Sequence, residues 1–198
     1  MTLQTPSQRR LQRAPDFTGD SLRNFRSVFL RHGLPVAAIA VLVLAHPEVR
    51  LLLLDGLAPA FASPYRYLVV GITILLALSI YAWAIERTWQ FQQFTWIVYL
   101  GALSLWEEWV FRIVIPSALE IQGIDFFTAL IISNLAFGAI HYFTLRWKWP
   151  WCVGAFIGGL ALSRQMELHG DLLLITAYHW IATFLNTPRS PGSRQSTK

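Results

Sequence analysis

Residues 105–112 read LWEEWVFR and place Glu107, Glu108 and Arg112 inside a run that is otherwise apolar from Thr95 to Ile115. Moving one such charge to the centre of a membrane helix costs about 2.5–3.5 kcal/mol. Three unpaired charges would cost roughly 8–10 kcal/mol, which is comparable with the whole stability of a domain, about 5–15 kcal/mol. If this run crosses a membrane, the three side chains must face the protein interior and be paired.

The spacing within this stretch separates the two glutamates. Glu108 and Arg112 are four residues apart, so their side chains meet on one face of a helix. Glu107 points about 100° away around the helix axis and has no partner nearby in sequence. A buried carboxyl of this kind is a natural proton acceptor and donor. The alternative is a structural clamp in which Glu107 is a second acceptor for Arg112.

The rest of the chain is also typical of a membrane protein. Of its 198 residues, 55% are hydrophobic and 14% are charged, whereas a soluble domain has about 25% charged residues. A span needs roughly 20 apolar residues, and the pattern predicts an all-α, polytopic transmembrane helix bundle of about six spans, with the functional helices in the C-terminal half. The predicted spans are residues 34–54, 67–85, 95–119, 126–145, 150–162 and 172–185.

Basic residues lie mainly at the two ends of the chain: Arg9, Arg10, Arg13, Arg23, Arg26 and Arg31 precede the first apolar run, and Arg189, Arg194 and Lys198 follow the last. Because positive flanks stay on the cytoplasmic side, both termini are predicted to be cytoplasmic. No basic stripe with interleaved aromatics lies between the tails, which argues against nucleic-acid binding. The single cysteine, Cys152, excludes an intrachain disulfide.

This pattern divides the chain into four regions. Residues 1–33 are a basic cytoplasmic tail, 34–94 the N-terminal transmembrane helices, 95–187 the membrane domain that contains the buried charges and 188–198 a second basic tail. Within the first region, residues 21–31 either form a helix on the membrane surface or only set the orientation. Gly154 and Gly158 form a small-xxx-small pair that predicts close helix packing. The small size of the chain favours a bacterial cytoplasmic membrane, and the oligomeric state is open.

Two later spans carry polar side chains at helical spacing. Asn134 lies seven residues before His141, on nearly the same face, and His179, Thr183 and Asn186 form one stripe in the last span. Taken singly, a histidine in a helix is often a satisfied core residue, and such a stripe is typical of hydrogen bonds between helices. Taken together with the two glutamates, they predict that carboxylate and imidazole groups of three helices meet at similar depth.

These motifs resemble the CPBP family of CAAX proteases and bacteriocin-processing enzymes, also called the Abi family, which includes the type II CAAX prenyl endopeptidase. The family carries Glu-Glu-x-x-x-Arg, Phe-x-x-x-His and His-x-x-x-Asn on successive transmembrane helices. The matching residues are, in order, Glu107, Glu108 and Arg112, then Phe137 and His141, then His179. Thr183 stands where the asparagine is usual, and Asn186 follows three residues later. The resemblance covers residues 95–187.

The resemblance implies an intramembrane endopeptidase that hydrolyses a peptide bond of a membrane-associated protein or peptide, without a cofactor. By that resemblance, Glu107 and His141 activate a water molecule, while His179 and its asparagine partner stabilise the oxyanion. Glu108 and Arg112 would hold the helix. The expected site is a cavity among the last four spans that opens toward the cytoplasm.

The asparagine partner is the position at which the chain departs from the family pattern. Thr183 can donate one hydrogen bond in its place, and Asn134 is a further candidate for polar support. Asn186 lies about 10 Å along the helix axis from His179, too far to share one oxyanion with it unless the helix breaks.

Three other functions are compatible with the same residues. The first is a zinc peptidase in which His141, His179 and a glutamate bind the metal, although the sequence has no His-Glu-x-x-His motif. The second is a membrane immunity or scaffold protein with a degenerate protease fold. The third is a proton-coupled transporter, because buried glutamates and histidines also form proton relays. For a protease, the family allows prenylated CAAX tails, bacteriocin or pheromone leaders, and C-terminal sorting signals as substrates.

Overall fold

The computed structural model describes residues 24–191, and within that range the chain forms 7 helices joined by short turns, without a strand. The helices are α1 (Phe25–Ala45), α2 (Pro47–Ala62), α3 (Pro64–Glu86), α4 (91–121), α5 (Phe126–Thr144), α6 (Trp149–His169) and α7 (Leu172–Asn186). This confirms the predicted all-α membrane helix bundle. The expectations for residues 1–23 and 192–198 fall outside the described residues.

The first predicted span, residues 34–54, is interrupted in the sequence by His46 and Pro47, and the helix breaks at this interruption, so the span is not one helix. α1 ends at Ala45, and His46 has φ −84° and ψ 123°, an extended conformation. Pro47 explains the break, since a proline ring disfavours helical geometry at the residue before it. Proline is well accommodated in the first turn of a helix. Residues 47–54 therefore belong to α2.

The same helix also begins earlier than predicted. α1 starts at Phe25, so the boundary predicted after residue 33 is not a break in the helix. Phe25 and Phe29 pack edge-on against the ring of Tyr99 in α4, with centroid distances of 4.9 and 6.1 Å. Aromatic packing of this kind joins residues 25–31 to the bundle, and they do not form a separate helix on its surface.

The helix α2 packs against α3, α4 and α7. Gly56 of α2 faces Ile113 in α4 and Leu172 at the start of α7. At the opposite end, the Gln93 side-chain amide near the start of α4 donates to the Pro188 carbonyl after α7 at 2.7 Å, so α4 and α7 are antiparallel. By length and composition, α1, α3 and α5 can each cross a membrane. Six spans in total stay a prediction.

The two ends of the bundle differ in their balance of charges, although Glu86 lies beside Arg189 at one end and Arg164 beside Glu167 at the other. One end carries Arg87, Arg146, Lys148 and Arg189, in the turns α3–α4 and α5–α6 and in the segment after α7. The other end carries Glu120, Asp125, Glu167 and Asp171. The positive-inside rule assigns the basic end to the cytoplasm, and this orientation stays a prediction.

Close helix packing occurs at glycines other than the predicted pair. Gly154 and Gly158 are exposed, and no neighbouring atom lies within 4 Å of where a Cβ would be, so that prediction is wrong. Gly138 of α5 instead approaches α6 so closely that a Cβ would lie 2.8 Å from a backbone carbonyl oxygen. A Cβ at Gly159 of α6 would overlap the side-chain oxygen of Asn134 in α5.

We predict that Gly159→Ala lowers the stability of the protein and that Gly158→Ala does not. The methyl group at 159 must displace Asn134 or Phe137, and overpacking of this kind costs about 1–3 kcal/mol. At 158 the methyl group enters open space, and the higher helix propensity of alanine makes the change neutral or slightly stabilising. Thermal unfolding of the purified protein in detergent measures both. Equal midpoints for the two variants would contradict this packing.

Candidate active site

Two prolines set an unusual backbone geometry at the centre of the bundle. Trp109–Val114 in α4 and Phe29–Gly33 in α1 are π-helical, and Pro116 and Pro35 follow them closely. A proline inside a helix lacks its N–H and clashes with the carbonyl four residues earlier. In both helices that carbonyl lies inside the π-helical segment, where the wider turn relieves the clash. π turns of this kind occur frequently at functional sites.

Glu107, just before the π-helical segment of α4, is the centre of a cluster of three imidazoles from three other helices. Its Oε1 lies 2.9 Å from Nε2 of His32 in α1 and 3.8 Å from Nε2 of His141 in α5. Its Oε2 lies 3.7 Å from Nε2 of His179 in α7. The contact with His32 is a hydrogen bond, whereas the other two distances are too long for one. All three rings therefore present the same nitrogen, Nε2, to one carboxylate.

In His141 and His32 the other ring nitrogen, Nδ1, forms a hydrogen bond to a group outside the cluster. His141 Nδ1 donates to the Phe137 carbonyl at 2.7 Å. His32 Nδ1 lies 2.7 Å from Oγ1 of Thr144, whose hydroxyl donates to the Ile140 carbonyl at 2.6 Å. Because that hydroxyl proton is used, Thr144 must accept a hydrogen bond from His32. Both rings therefore carry a proton on Nδ1, and Nε2 is the nitrogen that can exchange one.

Glu108 contacts the ring of His179, the third imidazole of the cluster. Nδ1 of His179 lies 2.6 Å from Oε1 of Glu108, and Nε of Arg112 lies 3.0 Å from Oε2 of Glu108. Both contacts are short but off the line of an ideal hydrogen bond. The Glu108–Arg112 pair that the spacing predicts is therefore present. Because Glu108 accepts from the guanidinium, it faces Nδ1 of His179 as an acceptor, and the imidazole is the donor of this contact.

Arg112 is held from α5 and α6. Its Nη1 donates to Oδ1 of Asn134 at 2.9 Å, and Nδ2 of Asn134 donates to Oγ of Ser163 at 2.9 Å. The guanidinium carbon lies 4.5 Å from the centroid of the Phe137 ring. That ring also makes edge contacts with the imidazoles of α5 and α7, at centroid distances of 4.8 and 5.6 Å. Phe137 therefore fixes the position of the cation relative to both imidazoles.

The cluster is closed to solvent. Glu107 and Glu108 are 1% and 0% exposed, and His32 is 0% exposed. The ring of Trp147, in the turn between α5 and α6, covers His141 at a centroid distance of 4.6 Å. Bulk solvent therefore has almost no access to the Glu107 carboxylate, and a substrate must displace part of this packing to reach it. The predicted cavity that opens toward the cytoplasm stays a prediction.

The structure brings together most of the residues that the sequence singled out, namely Glu107, Glu108, Arg112, His141 and His179. Asn134 joins them through Arg112. Thr183 is half-buried one turn beyond His179, and Asn186 is exposed at the end of α7. Among the described residues 24–191, no side-chain hydrogen bond or ion pair links Thr183 or Asn186 to the cluster. The polar support expected from these two residues is not made in this arrangement.

His32 is the member of the cluster that the sequence analysis missed. It follows Arg31 at the edge of the first apolar run, where the sequence groups it with the basic tail. The signal that was available is Pro35, because a proline three residues later predicts a distorted turn at this point of the helix.

The charges of the cluster are balanced only if it binds one further proton. Glu107, Glu108 and Arg112 sum to one negative charge, and an uncompensated charge is very costly to bury. One further proton, shared between Glu107 and the three Nε2 atoms, makes the group neutral. The hydrogen bond between His32 and Glu107 requires this proton, because otherwise two acceptors would face each other at 2.9 Å.

The same atoms also have the composition of a metal site. Single ligand atoms of His32, Glu107 and His141 all lie within 4.8 Å of one another. Imidazole nitrogen and carboxylate oxygen are common ligands of zinc. Histidines that bind metals usually donate their other ring N–H to a protein acceptor, as His32 and His141 do here.

A comparison with known families identifies the region that contains most of the cluster. Residues 88–185 match the family model described as type II CAAX prenyl endopeptidase Rce1-like. The matched region contains Glu107, His141 and His179 but not His32. Comparisons with curated proteins and with solved structures gave no significant match.

We predict that Arg112→Leu strongly destabilises the protein, because it leaves Glu108 charged and buried. Removing one partner of a buried ion pair costs about 3–5 kcal/mol. Arg164→Leu is the matched control, since Arg164 pairs with Glu167 at 2.7 Å while the two side chains are 59% and 43% exposed. Exposed pairs contribute only about 0–1 kcal/mol. Thermal unfolding in detergent measures both variants, and losses of similar size would show that the buried pair has no special role.

Proposed function

Residues 88–185 belong to the Rce1-like family of CAAX-type intramembrane proteases, and we propose that the protein hydrolyses a peptide bond with a water molecule that Glu107 activates. The observation that supports this mechanism is the approach of three Nε2 atoms to one buried carboxylate. Peptide hydrolysis needs a base for the water, donors for the oxyanion and a proton for the leaving amine. The cluster has a candidate for each.

In this proposal Glu107 is the general base. It accepts one proton from the water while the water oxygen bonds to the carbonyl carbon of the scissile peptide. Nε2 of His141, which is 3.8 Å from the same carboxylate, accepts the second hydrogen of the water and orients it. The closed site supports this step, because exclusion of bulk water strengthens these electrostatic interactions.

His179 is the candidate for stabilising the oxyanion. Once Glu107 has accepted the proton of the water, the cluster holds two mobile protons: one stays between Glu107 and His32, and the other can lie on Nε2 of His179, whose Nδ1 is 2.6 Å from the carboxylate of Glu108. The Nε2–H can then donate to the negative oxygen of the tetrahedral intermediate. When the C–N bond breaks, the proton that Glu107 accepted passes to the leaving nitrogen, so the two products form and the cluster regains its starting protonation. Thr183 would add a second donor by turning toward His179.

The substrate that we propose is a membrane-associated protein or peptide cleaved near the cytoplasmic surface. His141 lies in the last turn of α5, close to the end of the bundle that carries Arg146 and Lys148. By the positive-inside rule this end faces the cytoplasm, in our proposal that of a bacterial cell. A prenylated CAAX tail ends at this surface, and the description of the matched family names this substrate class.

A zinc peptidase is the second candidate, and one specific observation favours it. Three ligand atoms, from His32, Glu107 and His141, are mutually within 4.8 Å. A zinc ion at these atoms would supply a bound water with increased acidity. His32 takes the place of the third protein ligand, which the sequence alone assigned to His179.

We predict that Glu107→Gln abolishes proteolysis, because an amide cannot accept the proton of the attacking water. Loss of general-base catalysis lowers the rate by about 10²- to 10⁴-fold. Quantitative proteomics of membrane fractions should compare a strain that expresses the wild-type protein with one that expresses the variant. Peptides whose cleavage disappears identify the substrate. Glu167→Gln, at an exposed glutamate of α6, is the control and should leave cleavage unchanged.

The same experiment separates the competing functions. If the peptides are equally abundant with wild type and Glu107→Gln, the protease function is rejected, and an immunity or scaffold role is favoured. Elemental analysis of the purified protein distinguishes the two enzyme mechanisms. The glutamate mechanism predicts no stoichiometric zinc and no effect of a chelator on cleavage. One zinc per chain, together with loss of cleavage on chelation, would favour the metal mechanism.

A further inference from the structure

We infer that His32, which lies outside the family-matched region, is a positioning residue for Glu107: it holds the reactive carboxylate and balances its charge. The inference rests on the proposed function and extends the site from α4–α7 to α1. The geometric basis is that Nε2 of His32 lies 2.9 Å from Oε1 of Glu107 in a hydrogen bond. The imidazoles of α5 and α7 stand 3.8 and 3.7 Å from the same carboxylate. Among the described residues, His32 is therefore the direct partner of Glu107.

A continuous chain of hydrogen bonds fixes the direction in which His32 donates. The Thr144 hydroxyl donates to the Ile140 carbonyl, so its oxygen accepts from Nδ1 of His32. The opposite nitrogen then shares a proton with Glu107. This chain crosses from α5 through α1 to α4, and it orients the carboxylate in a site that has almost no exposure to water. Both ring nitrogens of His32 are therefore satisfied inside the bundle, and one of them is committed to the Glu107 carboxylate.

The backbone of α1 is shaped so that His32 reaches this position. His32 lies in the π-helical turn that precedes Pro35. The next residue, Gly33, contacts the ring of Tyr99 in α4, and a Cβ there would overlap the Tyr99 hydroxyl. Further along α1, the Ala40 carbonyl accepts a hydrogen bond from the indole N–H of Trp109 at 3.2 Å. These contacts hold α1 against α4 directly after His32 and two turns further along the helix.

The position of His32 gives it a defined part in the reaction. Before the attack, the proton between Nε2 of His32 and Oε1 of Glu107 offsets the charge of the carboxylate. When Glu107 accepts the proton of the water, the cluster gains one positive charge at the same moment as the substrate becomes a negative oxyanion. Charge is therefore separated over a short distance and does not accumulate. When the proton moves to the leaving nitrogen, both charges disappear and the initial pair is restored.

Substitutions at His32 test this inference through kcat. On a synthetic peptide that spans the cleavage site identified with Glu107→Gln, His32→Leu should lower kcat about 100-fold and leave KM nearly unchanged, because the substrate does not touch His32. His32→Gln should lose less activity, since its amide N–H can still donate to Glu107 but cannot carry the additional proton. His46→Gln is the control, because His46 is an exposed histidine just after the same helix. It should match the wild type.

Thr144 provides a second test that leaves both reactive groups in place. Thr144→Val removes the acceptor for Nδ1 of His32 at almost constant volume and should lower kcat about 10-fold. Thr144→Ser keeps the hydroxyl and should restore the wild-type value. These variants decide the question even if His32→Leu does not fold, which size-exclusion chromatography in detergent would reveal.

The outcomes distinguish this inference from the function on which it rests. If folded His32→Leu and Thr144→Val cleave with the wild-type kcat while Glu107→Gln is inactive, the role of His32 is rejected and the protease function stands. If Glu107→Gln is active, both are rejected. If His32→Leu releases a bound zinc ion, His32 is a metal ligand, and the positioning role is overturned.

Discussion

A buried carboxylate needs a compensating positive group, and in this bundle that requirement determines which helices must meet. Glu108 is balanced by Arg112, 3.0 Å away on its own helix, but Glu107 has no such partner. Its compensation comes from imidazoles on α1, α5 and α7 that can share one proton. Because Glu107 is only 1% exposed, these helices must pack around α4 for the charged residue to be tolerated in the interior of the bundle.

The backbone carries features that make this arrangement possible. Pro116 and Pro35 each impose a π-helical turn, one just after Glu107 and one around His32. Glycines allow the helices to approach closely at the same level: Gly33 lies against α4, and Gly159 lies against Asn134. The polar groups thus lie beside the two π-helical segments and between close helix contacts. A site of this kind is preorganised, because its groups do not have to move toward one another before the reaction.

Much of the site could be predicted from the cost of burying charged side chains. The rest depends on contacts between helices, which the sequence does not show. The cost of burying Glu107, Glu108 and Arg112 predicted that they would face inward and find partners. His32 could not be assigned in this way, because a histidine beside an arginine near the chain terminus reads equally well as part of a solvated tail. The packing of Gly158 was mispredicted for a related reason: spacing identifies a face of small residues but not whether a neighbouring helix covers it. Both ends of α1 differ from the predicted ones, because Pro47 ends the helix early and the aromatic contacts of Phe25 and Phe29 extend it at its start. Hydropathy alone predicts neither difference.

The central claim is that three imidazoles and Glu107 share one proton, and nitrogen-15 NMR of histidine-labelled protein in detergent tests it most directly. Comparing wild type with Glu107→Gln should show the ring signals of His32, His141 and His179 shifting together, as the shared proton redistributes among them. The signals of His46 and His169, which are both exposed, should stay in place. If the substitution moves none of the three buried rings, or only one, they do not form a single proton-sharing group with Glu107, and the account is contradicted.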